Sequence, residues 1–559
     1  MTNSQTIGPT ARAAAGRALL VVLAAASILA RPPGALAVSR SCGADALGNT
    51  ASVLCAPTSG PCDATSVTVS EPIEVTTGGC TFDLGGRTLT LQRTFEMIGT
   101  GFVTIQNVGN VTITATAKLK ARGDFVRPEG KIIEGGTITI ISSGSITHGG
   151  RIDVTGDSAG RIVLTAAGNV TTQGGSDLQG IGNSTSVDDG ARFADGGTLE
   201  ITSTGGAISI GGPIVMTGHS AAQGGIVIMQ AARDLDVEQP IDASGGANGG
   251  GTVDLSAGDD ITITHPISVD SVGGGGDGGD IEIAAGEDVL GGVIAGGTLA
   301  MDGGSVNMRA SQADSWGGDG GGLMASSHGP LLIGPLAPIR ANAGLNFSGD
   351  GGTVTLRSGD DNVDAVAATD GDMSLQGLIS AKSGGVGGVG GALAVNAGRN
   401  LSVSGSVDLG GKSGGGSVQG AVGGATTLTS AITADGTNAT ALGGAFSFRS
   451  CNLTVSSTGR IQVPGASGGS IALVARNHMT IDPGSQVKST GTGATVALTT
   501  RSFGICSNDS TKHCRTNAEC TVGCTSGTCM GINPDTGGTV AQFDPAPTFA
   551  ENASLPSCL

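Results

Sequence analysis

Aspartates recur at nearly even spacing through the middle of the chain, and stacked carboxylates are a common start for metal or acid–base chemistry. Asp234, Asp260 and Asp288 each precede a short apolar run, with Arg233, Glu238 and His265 close by in sequence. If the three occupy equivalent corners of a repeating fold, their carboxylates stack about 5 Å apart. Carboxylates that close repel one another, and either protonation or a bound cation relieves the repulsion. The three are therefore a candidate Ca2+ site, and otherwise solvated turn residues. The run Gly275-Gly276-Asp277-Gly278-Gly279-Asp280 matches the start of a glycine-rich calcium nonapeptide. It occurs once, its next apolar residue Ile281 comes one place early, and 102 glycines make a chance match the better reading.

Cysteine is the other reactive group. The segment CSNDSTKHCRTNAECTVGCTSGTC, from Cys506, spaces its cysteines by 7, 5, 3 and 4 residues. Zinc sites usually pair C-x2-C knuckles, which this segment lacks, so structural disulfides are the expectation. They would involve Cys42, Cys55, Cys62 and Cys80 at the beginning and Cys506, Cys514, Cys520, Cys524, Cys529 and Cys558 at the end. The count of 11 is odd, and Cys451, alone among the repeats, is expected to be the unpaired thiol. No G-x-S-x-G nucleophile elbow and no H-E-x-x-H zinc pair occurs.

A repeat must position these groups. One phrase returns from residue 135 onward: two glycines, an alternating strand, a Gly/Asn/Asp turn, a second strand and a third. Examples are GGTITIISSGSITHGGRIDVTG from Gly135, GGTVDLSAGDDITITHPISVDS from Gly250 and GGALAVNAGRNLSVSGSVDLGG from Gly390. Several adjacent copies lie about 24 to 28 residues apart, the period of a solenoid. Within each copy the apolar residues alternate with period two, as in Val253-Asp254-Leu255, so the segments are short strands. The turn before the second strand carries Asn110, Asn169, Asp234, Asp260, Asp288, Asn362, Asn400, Asn452 or Asn477. These residues are expected to tolerate a left-handed backbone and to hydrogen-bond to neighbouring turns. Where they match an N-x-Ser/Thr acceptor, turn chemistry is the reading rather than glycosylation.

Composition agrees with a narrow core. The chain has one tryptophan, no tyrosine and 2% aromatics, yet 38% hydrophobic residues. Small aliphatic side chains must fill an interior too thin for an ordinary globular core. Arg12 and Arg17, then the apolar run Ala18 to Ala30, then Ala35-Leu36-Ala37 read as a signal peptide over residues 1–37. The formal charge is −18 and becomes more negative once Arg12, Arg17 and Arg31 leave with the leader. Such acidity excludes nucleic acid as a partner. No later stretch is long enough to span a membrane.

The fold class expected is all-β: a single right-handed parallel β-helix over 64–500, with a Cys-containing N-terminal cap over 38–63 and a Cys-rich tail over 501–559. Some 14 to 17 coils would make a rod roughly 70 to 80 Å long. The diglycine, three-strand repeat resembles the pectin-lyase-like and filamentous-haemagglutinin-like β-helices of bacterial secreted proteins. That resemblance implies a protein outside the cell or on its outer surface, and implies little about activity. Polygalacturonase-like members carry a Gly-His-Gly and an Arg-Ile-Lys. Here Arg161-Ile162 and Arg460-Ile461 are followed by Val and Gln, and no Gly-His-Gly occurs. Calcium-dependent pectate lyases place aspartates on adjacent coils with an arginine base, which Arg233 matches poorly. The expectation is therefore a structural or adhesive protein, without a cofactor beyond a structural Ca2+, binding glycans or cell-envelope components. The alternative is a calcium-dependent polysaccharide lyase or hydrolase on the same scaffold.

Overall fold

A computed structural model gives the structure of the protein. It describes most of residues 65–502, with short strands at either end. The expected signal peptide, most of the expected cap, the inserts 124–133, 184–193, 287–297, 310–317 and 360–370, and much of 503–541 lie outside the described residues. Of the expected disulfide cysteines, the side chain of Cys80 alone lies within them.

The described chain is all strand, and its coils stack in parallel. A typical coil has a six-residue strand Thr252–Ala257, a middle strand Ile261–Ile263 and a two-residue strand Ile267–Ser268. Each pairs in parallel with its counterpart one coil earlier and one coil later, so that Val253 lies between Val227 and Ile281. Alternation within each strand sends every second residue inward, and parallel register piles like on like. One interior column runs Ile162, Leu199, Val227, Val253, Ile281, Leu323 and Val354. Another on the short strands runs Ile214, Ile241, Ile267, Val306 and Ile339. All are buried, and the buried apolar residues form one cluster from Val67 to Leu498. Aliphatic columns of this kind leave little room for rings, which is why so few aromatics suffice.

Late in the chain the corner between long and middle strands straightens. Ala445–Val455 and Ser470–Ile481 run on as single strands, with a register shift at Ser450/Asn452 and Ala475/His478. There Phe446 and Phe448 turn inward and stack, ring centroids 5.7 Å apart. Gly420, one coil below, makes that possible, because a Cβ on it would run into the Phe448 ring. Beyond the repeats, Gly504–Cys506, Asp509–His513 and Cys529–Gly531 form a small antiparallel sheet. The chain then returns to the stack: Gln542–Asp544 pairs with Gln486–Lys488, and Thr548–Glu551 with Thr495–Ser502.

Cys451 corrects an expectation. It is disulfide-bonded, as is Cys80. The two stand many coils apart in the stack, so they are not joined to one another. An odd cysteine count therefore does not single out the one residue that interrupts the repeats. Peptide mapping without reductant is expected to recover Cys451 only in a crosslinked peptide; an alkylated free Cys451 would contradict the structure.

Candidate functional site

The corners are where the expected chemistry lies. The Asn and Asp corner residues hydrogen-bond from coil to coil, and among the described residues all but the pair Asn452 and Asn477 do so with one geometry. The side-chain oxygen accepts the backbone N–H of the residue stacked above it. Asn110 accepts from Ser145 (2.8 Å), Asn169 from Ala207 (3.0 Å) and Asn400 from Ala425 (3.0 Å). Asn477 donates its amide to Asn452 (3.0 Å). The expected left-handed backbone is not used at any of these: among the described residues Asn107 alone, apart from glycines, has positive φ. The side chain's reach to the next coil, rather than its tolerance of unusual backbone, explains the residue type.

Asp234 and Asp260 follow the same rule. Asp234 Oδ1 accepts the Asp260 N–H (3.3 Å), and Asp260 Oδ1 accepts the Thr298 N–H (2.7 Å). The structure thus brings these two aspartates together on adjacent coils. It does not place Asp288 above them, because the register pairs Ile261 with Leu299, so Thr298 fills that corner. Asp288 itself lies outside the described residues, in the insert that lengthens this coil. Counting a constant repeat across that insert is what misaligned it.

The acidic surface is completed by a residue that sequence reasoning did not single out. Asp236, on the outer side of Leu235–Val237, neighbours Asp234, Glu238 and Asp260. Partial burial, then the charges of Asp234 and Glu238, hold its carboxyl above the usual range despite a hydrogen bond from Thr262. Crowded carboxylates disfavour one more negative charge, so Asp236 takes up a proton more readily than a free carboxylate does. His265 is occupied locally, its Nδ1 3.1 Å from Thr264 Oγ1. Among the described residues no three acidic, His or Cys side chains converge to hold a metal ion.

A second aspartate ladder was also missed. Asp277, Asp319 and Asp350 stand on successive coils directly before their diglycines. Each accepts the N–H above it: from Asp319 (2.8 Å), Asp350 (2.7 Å) and Val389 (2.7 Å). Asp195 does the same for Gln223 (3.0 Å). The signal was present as Asp-Gly-Gly, one residue ahead of the repeated phrase.

The outer face of the middle strands carries a third regularity. Thr112, Thr147, Thr171 and Ser209 occupy one outward column, and Thr262 continues it beyond Asp236. After Ala300 and Leu332 the column resumes as Ser374, Ser402, Thr427, Thr454 and Thr480. Hydroxyls therefore recur at strand spacing, about 4.8 Å, along much of the stack. No helix among the described residues is long and apolar enough to cross a membrane. No protein-family model matches the chain, and no curated protein or solved structure does either.

Proposed function

We propose that the chain is an exported structural or adhesive protein. In this reading it is one right-handed parallel β-helix of the pectin-lyase-like or filamentous-haemagglutinin-like kind. Right-handedness is the rule for parallel crossover connections. Disulfides brace its cap and tail, and its ligands are glycans or cell-envelope components.

The observation that carries the reading is the hydroxyl column on the middle strands. A single Ser or Thr contact is weak, but many at fixed spacing engage a repeating polymer at once. A parallel stack supplies that spacing without any further design, since each coil adds one equivalent group. The corner aspartates fit the same reading, because their oxygens serve the backbone of the next coil rather than a reaction.

The test is to offer the exported protein immobilised glycans and soluble polyuronides, with and without calcium. Binding without release of product is the expected result. Release of unsaturated oligosaccharides from a polyuronide, abolished by Asp260→Asn, would replace the adhesive reading with the lyase one. Failure to bind any glycan of the panel would overturn it.

A further inference from the structure

On the outer face of the short-strand sheet a cleft of about 290 Å³ opens across three successive coils. The first coil contributes Lys382, the second Asp408, Gly410, Gly411 and Lys412, and the third Thr433 and Asp435. Its floor is bare because Gly410 has no side chain. A Cβ at Gly410 would lie 2.5 Å from Asp435 Oδ1 and 3.4 Å from Asp408 Oδ1. Two carboxylates from adjacent coils therefore converge over the space that glycine leaves open.

The two are held differently. Asp408 is fixed, with Oδ1 accepting the Gly410 N–H (3.2 Å) and Oδ2 ion-paired to Lys382 Nζ. Asp435 is fixed only through its backbone, whose carbonyl accepts the Gly411 N–H (2.8 Å). Its carboxylate has no hydrogen-bond or ion-pair partner among the described residues. Lys412 is similar: its backbone N–H donates to Ser383 Oγ (3.0 Å), while its ammonium makes no ion pair there. An uncommitted acceptor and an uncommitted donor thus border one hollow, with the Thr433 hydroxyl beside them.

The mixture of charges narrows the ligand class. Two carboxylates disfavour a phosphate or sulfate group, and two ammonium groups disfavour a bare metal ion. A ring bearing adjacent hydroxyls suits both signs, since hydroxyls donate to carboxylates and ring or acid oxygens accept from Lys412. We propose that this cleft is a sugar subsite, taking a hexose or hexuronate ring through vicinal hydroxyls on Asp435 and Asp408. The proposal rests on the glycan-binding reading above and gives it a location. No aromatic side chain lines the cleft, so affinity comes from hydrogen bonds and from repetition along the polymer.

The experiment is titration of the full chain with tetragalacturonate and with cellotetraose, followed by calorimetry. Asp435→Asn removes the free charge, and Gly410→Ala pushes the Asp435 carboxylate out of the hollow. Each is expected to weaken binding about tenfold, the usual worth of a charge-assisted hydrogen bond. The melting temperature should stay unchanged, because the new methyl meets only the end of a side chain. Asp234→Asn, on a distant corner, should bind as the unsubstituted protein does. Equal binding by the unsubstituted chain and both cleft variants would place the subsite elsewhere and leave the adhesive reading standing. If the unsubstituted chain binds neither these probes nor any immobilised glycan, both ideas fall together.

Discussion

Replacing Gly251 by alanine is expected to destabilise the protein by about 3 kcal/mol or more, among the largest effects of a single methyl group. Gly251 is the second glycine of its diglycine, where the chain leaves the short strand and enters the long one. Its N–H donates to the Ala243 carbonyl (3.0 Å), which draws the two segments together. A Cβ there would run into the Gly225 carbonyl oxygen one coil below and the Ala243 carbonyl of the preceding coil. Both obstacles are backbone, and both belong to coils already fixed by parallel ladders on either side. Neither can move without breaking stacked hydrogen bonds. Gly279, one coil later, faces the Gly251 carbonyl in the same way. The diglycine thus recurs because close backbone approach recurs. Gly410→Ala is the matched contrast, since its methyl would meet a carboxylate tip that can swing away. Denaturant titration of both variants checks the argument. Equal midpoints for Gly251→Ala and Gly410→Ala would refute it.

That contrast also explains how much the sequence reveals. Period-two alternation and the diglycines are local, and they carry the strands, the parallel stack and the aliphatic core. Corner residues such as Asn110, Asn169 and Asn400 were legible by type, though the reason is capping of the coil above, not backbone tolerance. The Asp277, Asp319 and Asp350 ladder was open to reading as Asp-Gly-Gly. The same triplet at Asp302, however, ends a middle strand, where Asp302 donates its N–H to Ile263. What depends on coil register was not legible. Thr298 replaces Asp288 above Asp260 because the insert 287–297 changes the count. The cleft over Gly410 joins residues of three successive coils, from Lys382 to Asp435, that lie up to 53 positions apart and share no motif. Parallel stacking makes neighbours of distant residues, and each insert shifts which ones meet.

Mild acid is expected to weaken the fold through one interior histidine. His148 ends the middle strand Ile146–His148 and points inward, fully buried, between Ile113 and Thr172 of the adjacent coils. Every later coil from Ile210 to Ile333 puts an apolar residue in that column. Neither ring nitrogen has a hydrogen-bond partner among the described residues. Burial therefore pushes its pKa down to about 4, against a smaller upward pull from the Asp177 charge. The unfolded chain, with an ordinary value near 6.5, binds the proton first as pH falls. Stability is thus intact above about pH 6.5 and declines down to about pH 4. Below that the folded form is protonated too, and the loss levels off at about 3 kcal/mol. Asp153, also buried, is held below the usual carboxylate range even though burial opposes that shift. Hydrogen bonds from Arg122 and Thr155 overcome the opposition. Its own contribution is lost only at lower pH, so the two groups separate along the axis. His148→Val should remove the decline between pH 6.5 and 4. It should also raise stability at neutral pH by about 1 to 3 kcal/mol, because two unpartnered polar atoms leave the interior. Denaturant midpoints measured at pH 7, 5.5 and 4 for both proteins decide it, and parallel curves would show that the ring is not the group that titrates.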